Sequence, residues 1–304
     1  MDLSWCHDSI KPHLAAYLAG MRAREYSRKT IIACAQVLKP FFLFLAETGA
    51  ERLQDVTAEH LEKYRLLLIR RKFARTTIYD RLRNIRSFLN HLEKEQVIFV
   101  NPGRSLIMPK YERNLLPVPT EKDVKRLLAQ PDASDTIGIR DRALIEMAYS
   151  TGARLDELVR LNLLSIDRTQ RSIRVMGKGR KERVLPLGRH AMFWLEAYLR
   201  DARPKLNRLD PDEPALWLGQ SGNRIPRETV QIMIRRYSRQ AGLKPTASPH
   251  ALRRACATHM LRRGAHPVQI QMLLGHATLQ SLGQYLRVTI TDMKKAYEKS
   301  NPAK

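Results

Sequence analysis

The chain has 304 residues, with 54 Lys and Arg against 30 Asp and Glu, a net charge of +24. At ~100–200 residues per domain this length implies two domains, and a hydrophobic content of 43% is enough to build a core in each. A charge this large points to a polyanionic partner, first of all nucleic acid. No run of about 18 apolar residues marks a bilayer span. Residues Met1 to Ile10 include Asp2, His7 and Asp8 and carry no signal pattern. The three cysteines (Cys6, Cys34, Cys256) are too scattered for a disulfide framework or a zinc site. The expected setting is therefore a reducing cytosol or nucleoid, with no membrane partner.

The first hundred residues read as four or five short helices. Ser27 can cap a helix that runs through Ile31, Ile32, Val37, Phe41 and Phe42 and stops near Gly49. Thr57 opens a second, through Leu61, Tyr64, Leu67 and Leu68. Thr76 precedes a third, in which Ile78, Leu82, Ile85, Leu89 and Leu92 recur at helical spacing. Between Lys63 and Arg86 stand nine basic residues and one acid, Asp80. A one-signed run on a helix pair suits the DNA backbone, and hydroxyls at a loop-to-helix junction suit phosphate oxygens. Arg70, Arg71, Lys72, Arg75, Thr76, Thr77 and Arg83 are the expected contacts.

Residues 101–119 change character. Pro102, Pro109, Pro117 and Pro119 stiffen a stretch with little periodicity, which reads as a linker between a domain over 1–100 and another over 120–304. Thr120 to Asp123 resembles a capping box with Asp in place of Glu. A helix over Ile139–Ala148 ends before Thr151-Gly152. Ser172–Met176 and Glu182–Leu187 flank the basic, Gly-rich Gly177-Lys178-Gly179-Arg180-Lys181, the pattern of a hairpin. Helices are expected at about 188–202, 226–241, 249–263, 267–274 and 290–299, with Ala215–Leu218 as a further strand. The fold class is thus mainly α with a small β-sheet: a helical N-terminal domain followed by an α+β domain.

The chemistry available is limited. From Ala251 to Lys304 there are nine Lys and Arg and only two acids, Asp292 and Glu298. Two-metal chemistry needs clustered carboxylates, and neither a His-Glu-x-x-His helix nor a phosphate-binding Gly-x-x-x-x-Gly-Lys loop occurs. No metal and no cofactor is expected, so cations and a side-chain nucleophile should carry any phosphoryl chemistry. His250 and Arg253 lie three apart at a helix start, hence on one face. Leu274-Gly275-His276 exposes an imidazole after a turn, and Tyr285 follows nine residues later. Taken singly, each of these residues has an ordinary structural reading.

Taken together, TGARLDEL with Arg154, GKGRKER with Lys178, PHALRRACATHML with His250 and Arg253, LGH with His276, and Tyr285 resemble the tyrosine recombinases, the phage-integrase and Xer group. The N-terminal helices resemble that family's core-binding domain. The resemblance implies a site-specific DNA recombinase. Tyr285 would attack the scissile phosphate and form a 3′-phosphotyrosyl bond. Arg154 and Arg253 would neutralise the phosphoryl oxygens, and His276 would add a hydrogen bond. His250 would position the tyrosine or accept its proton, and Lys178 would protonate the leaving 5′-oxygen. Glu157, one turn after Arg154, would hold cationic groups in place. Arg180 and Lys181 would contact DNA beside Lys178.

The resemblance also implies a two-domain clamp on duplex DNA, without a further arm-binding domain. Four protomers, identical or of two kinds, would assemble on two sites, with the C-terminal helix docking on a neighbour. It would serve integration and excision of a mobile element or resolution of replicon dimers. There are departures from the family pattern. Arg254 stands where His is frequent, Cys256 where Phe is frequent, and Ser281-Leu282-Gly283-Gln284 where a pair of threonines is usual. A non-catalytic DNA-binding or synapsis partner on the same fold is the competing reading.

Overall fold

A computed structural model describes residues 3–110, 117–177, 182–208, 210 and 212–275. The chain divides into two compact units between residues 114 and 115.

The first unit is a helical bundle of α1 (Lys11–Ala23), α2 (Arg28–Glu47), α3 (Ala58–Arg70) and α4 (Arg75–Lys94). The expected caps are in place. Ser27 Oγ accepts the Thr30 amide at 3.2 Å, and Thr57 Oγ1 accepts the His60 amide. The apolar stripe of α4 (Ile78, Leu82, Ile85, Leu89 and Leu92) is buried throughout, as its helical period requires. Aromatic edges lock the helices: Phe88 meets Tyr17 and Phe42, each at 5.4 Å between ring centroids.

Two expectations for this unit change. Helix α4 begins at Arg75 with Ala74 in extended geometry at its cap, so Thr76 lies inside the first turn and does not precede it. Helix α2, at 20 residues, is long and apolar enough to cross a bilayer, although the sequence analysis found no such run. Here its Ile31, Leu38, Phe41, Phe42 and Leu45 are core residues of the bundle.

The segment expected to begin the linker is tied to α4. Asn101 is buried and donates to Asn90 Oδ1 and Glu93 Oε2 at 2.8 and 2.9 Å. Arg86 donates to the carbonyls of Gly103 and Leu106 at 3.1 and 2.6 Å. Leu106 itself joins the core.

The second unit is built around α6 (Thr136–Thr151), which is buried on most sides. Packed near it are α5 (Glu121–Leu128), α8 (Arg189–Ala197), α9 (Arg203–Leu206) and α11 (Pro249–Arg262). Short α7 (Leu155–Val159), α10 (Arg227–Gln240) and α12 (Pro267–Leu274) complete the helices among the described residues. The sheet has the order β1 (Ile166–Asp167), β2 (Ser172–Met176), β3 (Glu182–Pro186), antiparallel throughout. Ile173 pairs with Leu185 and Val175 with Arg183. Thr120 and Asp123 form the expected reciprocal cap of α5.

Two further expectations are corrected. The helix over 188–202 is interrupted: a π turn at Tyr198–Ala202 leads into α9. Pro204 has no amide to donate to the Arg200 carbonyl, so the ladder shifts there. Ala215–Leu218 makes only single bridges, Asn162 to Ala215 and Leu218 to Arg224. Arg203 and the Tyr198 hydroxyl bind the carbonyls of Ala215 and Leu216 that a ladder would use. The expected helix at 290–299 lies outside the described residues.

The bundle packing gives a direct stability prediction. Leu82 is fully buried and Leu66 is substantially exposed. Leu82→Ala should lower the stability of the first unit by about 2–5 kcal/mol, whereas Leu66→Ala should stay within about 0.5 kcal/mol. Urea unfolding followed by far-UV circular dichroism measures both; equal losses would contradict this core assignment.

Candidate active site

The site is assembled where α6 stops. Gly152 caps that helix in the left-handed conformation, φ +59°, which favours glycine. A Cβ at this position would also lie 2.9 Å from Leu274 Cδ2 and 3.3 Å from Cys256 Sγ. The chain thus turns tightly over α11 and α12 and delivers Arg154 to the start of α7.

Glu157 is the hub. Its side chain is 4% exposed and accepts four donors. Oε2 takes the Arg154 amide at 2.8 Å and Arg183 Nη2 at 2.7 Å. Oε1 takes Arg154 Nη1 and Arg183 Nη1, both at 2.9 Å. Burial alone would raise the carboxyl pKa. The bonds from Arg183 and then from the Arg154 backbone and side chain outweigh burial and hold it below the ordinary value.

The C-terminal end of α12 is the second focus. Arg183 Nε donates to the Leu273 carbonyl at 3.2 Å, Arg253 Nη2 to Leu274 at 2.5 Å, and Arg154 Nη2 to Gly275 at 3.1 Å. Arg253 Nη1 also donates to the Gly152 carbonyl at 2.6 Å. Three successive carbonyls at a helix C-terminus lack helical partners and carry the negative end of the helix dipole, so guanidinium groups suit them. Gly275 is left-handed, φ +62°, and a Cβ there would stand 3.1 Å from the Arg183 guanidinium carbon.

Helix α11 supplies the remaining described residues. Ser248 caps it, accepting the Ala251 amide at 3.2 Å, and Pro249 occupies its first turn. His250 and Arg253 follow one turn apart. Arg253 is buried, whereas His250 reaches solvent. Packing around the His250 ring, then the positive charges of Arg253, Arg227, Arg254 and Arg154, lower its pKa from the usual histidine value. This direction favours the neutral ring. Cys256, behind Gly152, has its thiol pushed up to about 12 by burial, so it is an inert packing group.

The structure brings together Arg154, Glu157 and Arg253 at one helix end, with His250 on the same helix as Arg253. Lys178, Arg180, Lys181, His276, Tyr285 and the Ser281–Gln284 segment lie outside the described residues.

In the first unit, Arg70, Arg71, Lys72 and Arg75 are exposed around the α3–α4 junction, as are Thr76 and Arg83, with Thr77 half-buried. No carboxylate pairs with Arg70, Arg71, Lys72 or Arg75 among the described residues. Arg83 sits 3.6 Å from Asp80. The basic run is not uniform. Lys63 and Arg65 pair with Glu59 and Glu62, Arg81 stacks on Phe73 at 4.3 Å, and Arg86 is tied to backbone.

Arg183 is the residue that the sequence analysis missed. One signal was available. In Glu182-Arg-Val-Leu185 the strand period of two places Arg183 on the same face as Leu185, and a charged residue on an inward face calls for a partner.

Residues 118–291 match the phage integrase family and residues 14–96 match its N-terminal SAM-like domain. Tyrosine recombinase XerC of Chlamydia caviae is 35% identical over 246 residues, 81% of this chain and 78% of the relative. Tyrosine recombinase XerD of Pseudomonas putida is 38% identical over 221 residues, covering 73% of this chain and 74% of the relative. XerD of Shewanella oneidensis is 32% identical over 293 residues, 96% and 97% of the two chains. Among solved structures, XerH recombinase bound to difH before cleavage aligns with a TM-score of 0.68 at 19% identity, over 90% of this chain and 81% of that one. The Tn1549 transposon integrase in complex with a circular intermediate DNA aligns at 0.73 and 16%, over 93% and 99%. The chain belongs to the phage integrase family and is a tyrosine-type site-specific recombinase.

Glu157 carries a sign-definite pH prediction. Its folded pKa is depressed, so its stabilisation is complete above the unfolded carboxylate value, about 4.3, and is lost as pH falls through the lower folded value. Glu157→Gln leaves one acceptor oxygen and turns an NH₂ toward arginine donors. At pH 7 it should reduce stability by about 1–3 kcal/mol. In urea titrations the gap from wild type should hold from neutral pH to near that unfolded value and narrow below it. A gap that stays constant under acid would contradict the ion-pair account.

Proposed function

We propose that this chain breaks and rejoins duplex DNA through a 3′-phosphotyrosyl intermediate. The convergence of Arg154 and Arg253 on Gly275 and Leu274, the residues that lead into His276, carries the reading. Planar, permanently charged guanidinium groups match phosphoryl oxygens with paired donors. Holding them rigidly before DNA arrives avoids reorganisation in the transition state.

The Tyr285 oxygen attacks phosphorus, a P–O bond to the tyrosine forms, and the P–O bond to the 5′-oxygen breaks. The phenolic proton passes to neutral His250, and the Lys178 ammonium protonates the leaving oxygen. Arg154, Arg253 and His276 bind the non-bridging oxygens. The reverse attack by a 5′-hydroxyl rejoins the strands, and the phosphodiester energy stays in the covalent link. Glu157 sets the orientation of Arg154. Removing Arg154 or Arg253 should slow cleavage by roughly 10²–10³-fold.

Arg70, Arg71, Lys72, Arg75, Thr76, Thr77 and Arg83 in the first unit, with Arg180 and Lys181 beside Lys178, bind backbone phosphates. Binding is then steeply weakened by salt. The DNA complexes of XerH, of the Tn1549 integrase and of a lambda integrase dimer support this reading of the partner. Four protomers, of one or two kinds, act on two sites in the cytoplasm at the nucleoid. The reaction integrates or excises a mobile element or resolves replicon dimers. A purely DNA-binding role fits less well, because it gives no reason to bury Arg253 beside a second arginine and a shared carboxylate.

The test uses a duplex enriched from a randomised library by binding to the protein, nicked so that the cleaved end diffuses away. Wild type should form an adduct that survives boiling in detergent, and Tyr285→Phe should form none. An adduct in the Phe variant would overturn the assignment of the nucleophile. The pH profile provides a second check. His250 must be neutral to accept a proton, so single-turnover cleavage should fall only as pH drops below about 6.5, the ordinary histidine value. That acid limb should vanish in His250→Gln. A limb at or above the ordinary value would contradict the lowered pKa.

A further inference from the structure

We infer that Arg183 is a positioning residue of the reaction centre: it locks the β3 strand, the Glu157 carboxylate and the carbonyl end of α12 into one frame around Arg154. The inference rests on the phosphotyrosyl reading above. Arg183 uses three directed donors at once. Nη1 and Nη2 form a fork on the two oxygens of Glu157, at 2.9 and 2.7 Å, while Nε takes the Leu273 carbonyl at 3.2 Å. Its side chain is only 16% exposed, so these bonds act in a medium of reduced dielectric where geometry counts for more.

Its place in the chain explains the reach. Arg183 lies on the return strand directly after residues 178–181, opposite Val175. One side chain therefore connects the strand following Lys178, the acid beneath Arg154, and the helix end that leads into His276. The left-handed Gly275 is what lets the guanidinium approach that end so closely.

The consequence of losing it follows from Glu157. That carboxylate is buried and has four donors, two of them from Arg183. Without them its remaining side-chain partner is Arg154, whose guanidinium already divides its donors between Glu157 Oε1 and the Gly275 carbonyl. A buried charge short of partners draws the remaining cation closer, turning Arg154 away from the position in which it meets a phosphate. Arg183 thus acts through Arg154, the neighbour with which it shares Glu157.

Single-turnover cleavage of the selected nicked duplex, with protein in saturating excess, tests this. Arg183→Gln should cleave about 10–100-fold more slowly with unchanged half-saturation for DNA; its melting temperature should fall, because buried Glu157 loses two donors, so rates are compared at a temperature where far-UV circular dichroism shows both proteins folded. Arg183→Lys keeps the charge but cannot form the fork plus a third bond, so it should remain slow; this variant also decides the question if the Gln variant does not fold. Combining Arg183→Gln with Glu157→Gln should lose little beyond the worse single variant, because both remove the same frame. Wild-type cleavage by Arg183→Lys, or losses that multiply in the double variant, would overturn the inference. A wild-type protein that forms no adduct would instead count against the phosphotyrosyl reading.

Discussion

The candidate site of the second unit is arranged around the buried carboxylate of Glu157. Glu157 accepts four hydrogen bonds from two arginines, and those arginines, with Arg253, end on the carbonyls of residues 273–275. A lone buried acid would be costly, and so would uncapped carbonyls at a helix end. Each satisfies the other's requirement through shared guanidinium groups. The result is a cluster of cations fixed by the protein without any need for substrate. At Gly152 and Gly275 a positive φ and close side-chain neighbours together favour a residue without Cβ.

This arrangement divides the large positive charge into two kinds. In the first unit the basic residues around the α3–α4 junction are exposed and lack carboxylate partners among the described residues, so their charge is available to a backbone of phosphates. In the second unit Arg253 is buried, Arg183 nearly so and Arg154 about one-third exposed, all three directed by hydrogen bonds. A solvated surface charge is screened by salt; a directed, desolvated one is not to the same degree. In the proposed function the first kind holds the protein on DNA, and the second acts on one phosphate.

Much of this was legible in the sequence, for identifiable reasons. The α4 stripe and the caps at Ser27, Thr57 and Thr120 follow from local periodicity and hydrogen bonding, and they appear as expected. Arg154, Glu157, His250 and Arg253 stand in segments that resemble the tyrosine recombinases, and their roles follow from that resemblance; the structure places Arg154, Glu157 and Arg253 at a single helix end. What the sequence hid depends on tertiary partners. Arg86 and Asn101 look like surface residues until the 101–106 segment folds against α4. Ala215–Leu218 looks like a strand until Arg203 and Tyr198 occupy its carbonyls. Helix α2 reads as a soluble helix by its scattered charges and as a bilayer helix by its mean hydropathy, and only its packing decides. Arg183 was obscured by the basic residues beside it, although strand alternation turned it inward.

In the proposed function Arg154 and Arg253 act by neutralising charge on the scissile phosphate. Replacing one non-bridging oxygen of that phosphate with a methyl group removes the charge and leaves the phosphorus centre. Comparing wild-type and Arg253→Ala cleavage rates on the two substrates tests the claim directly. On the natural phosphate the variant should be slower by about 10²–10³-fold, and on the uncharged methylphosphonate most of that difference should disappear. A deficit of equal size on both substrates would show that Arg253 contributes something other than charge neutralisation and would contradict this account.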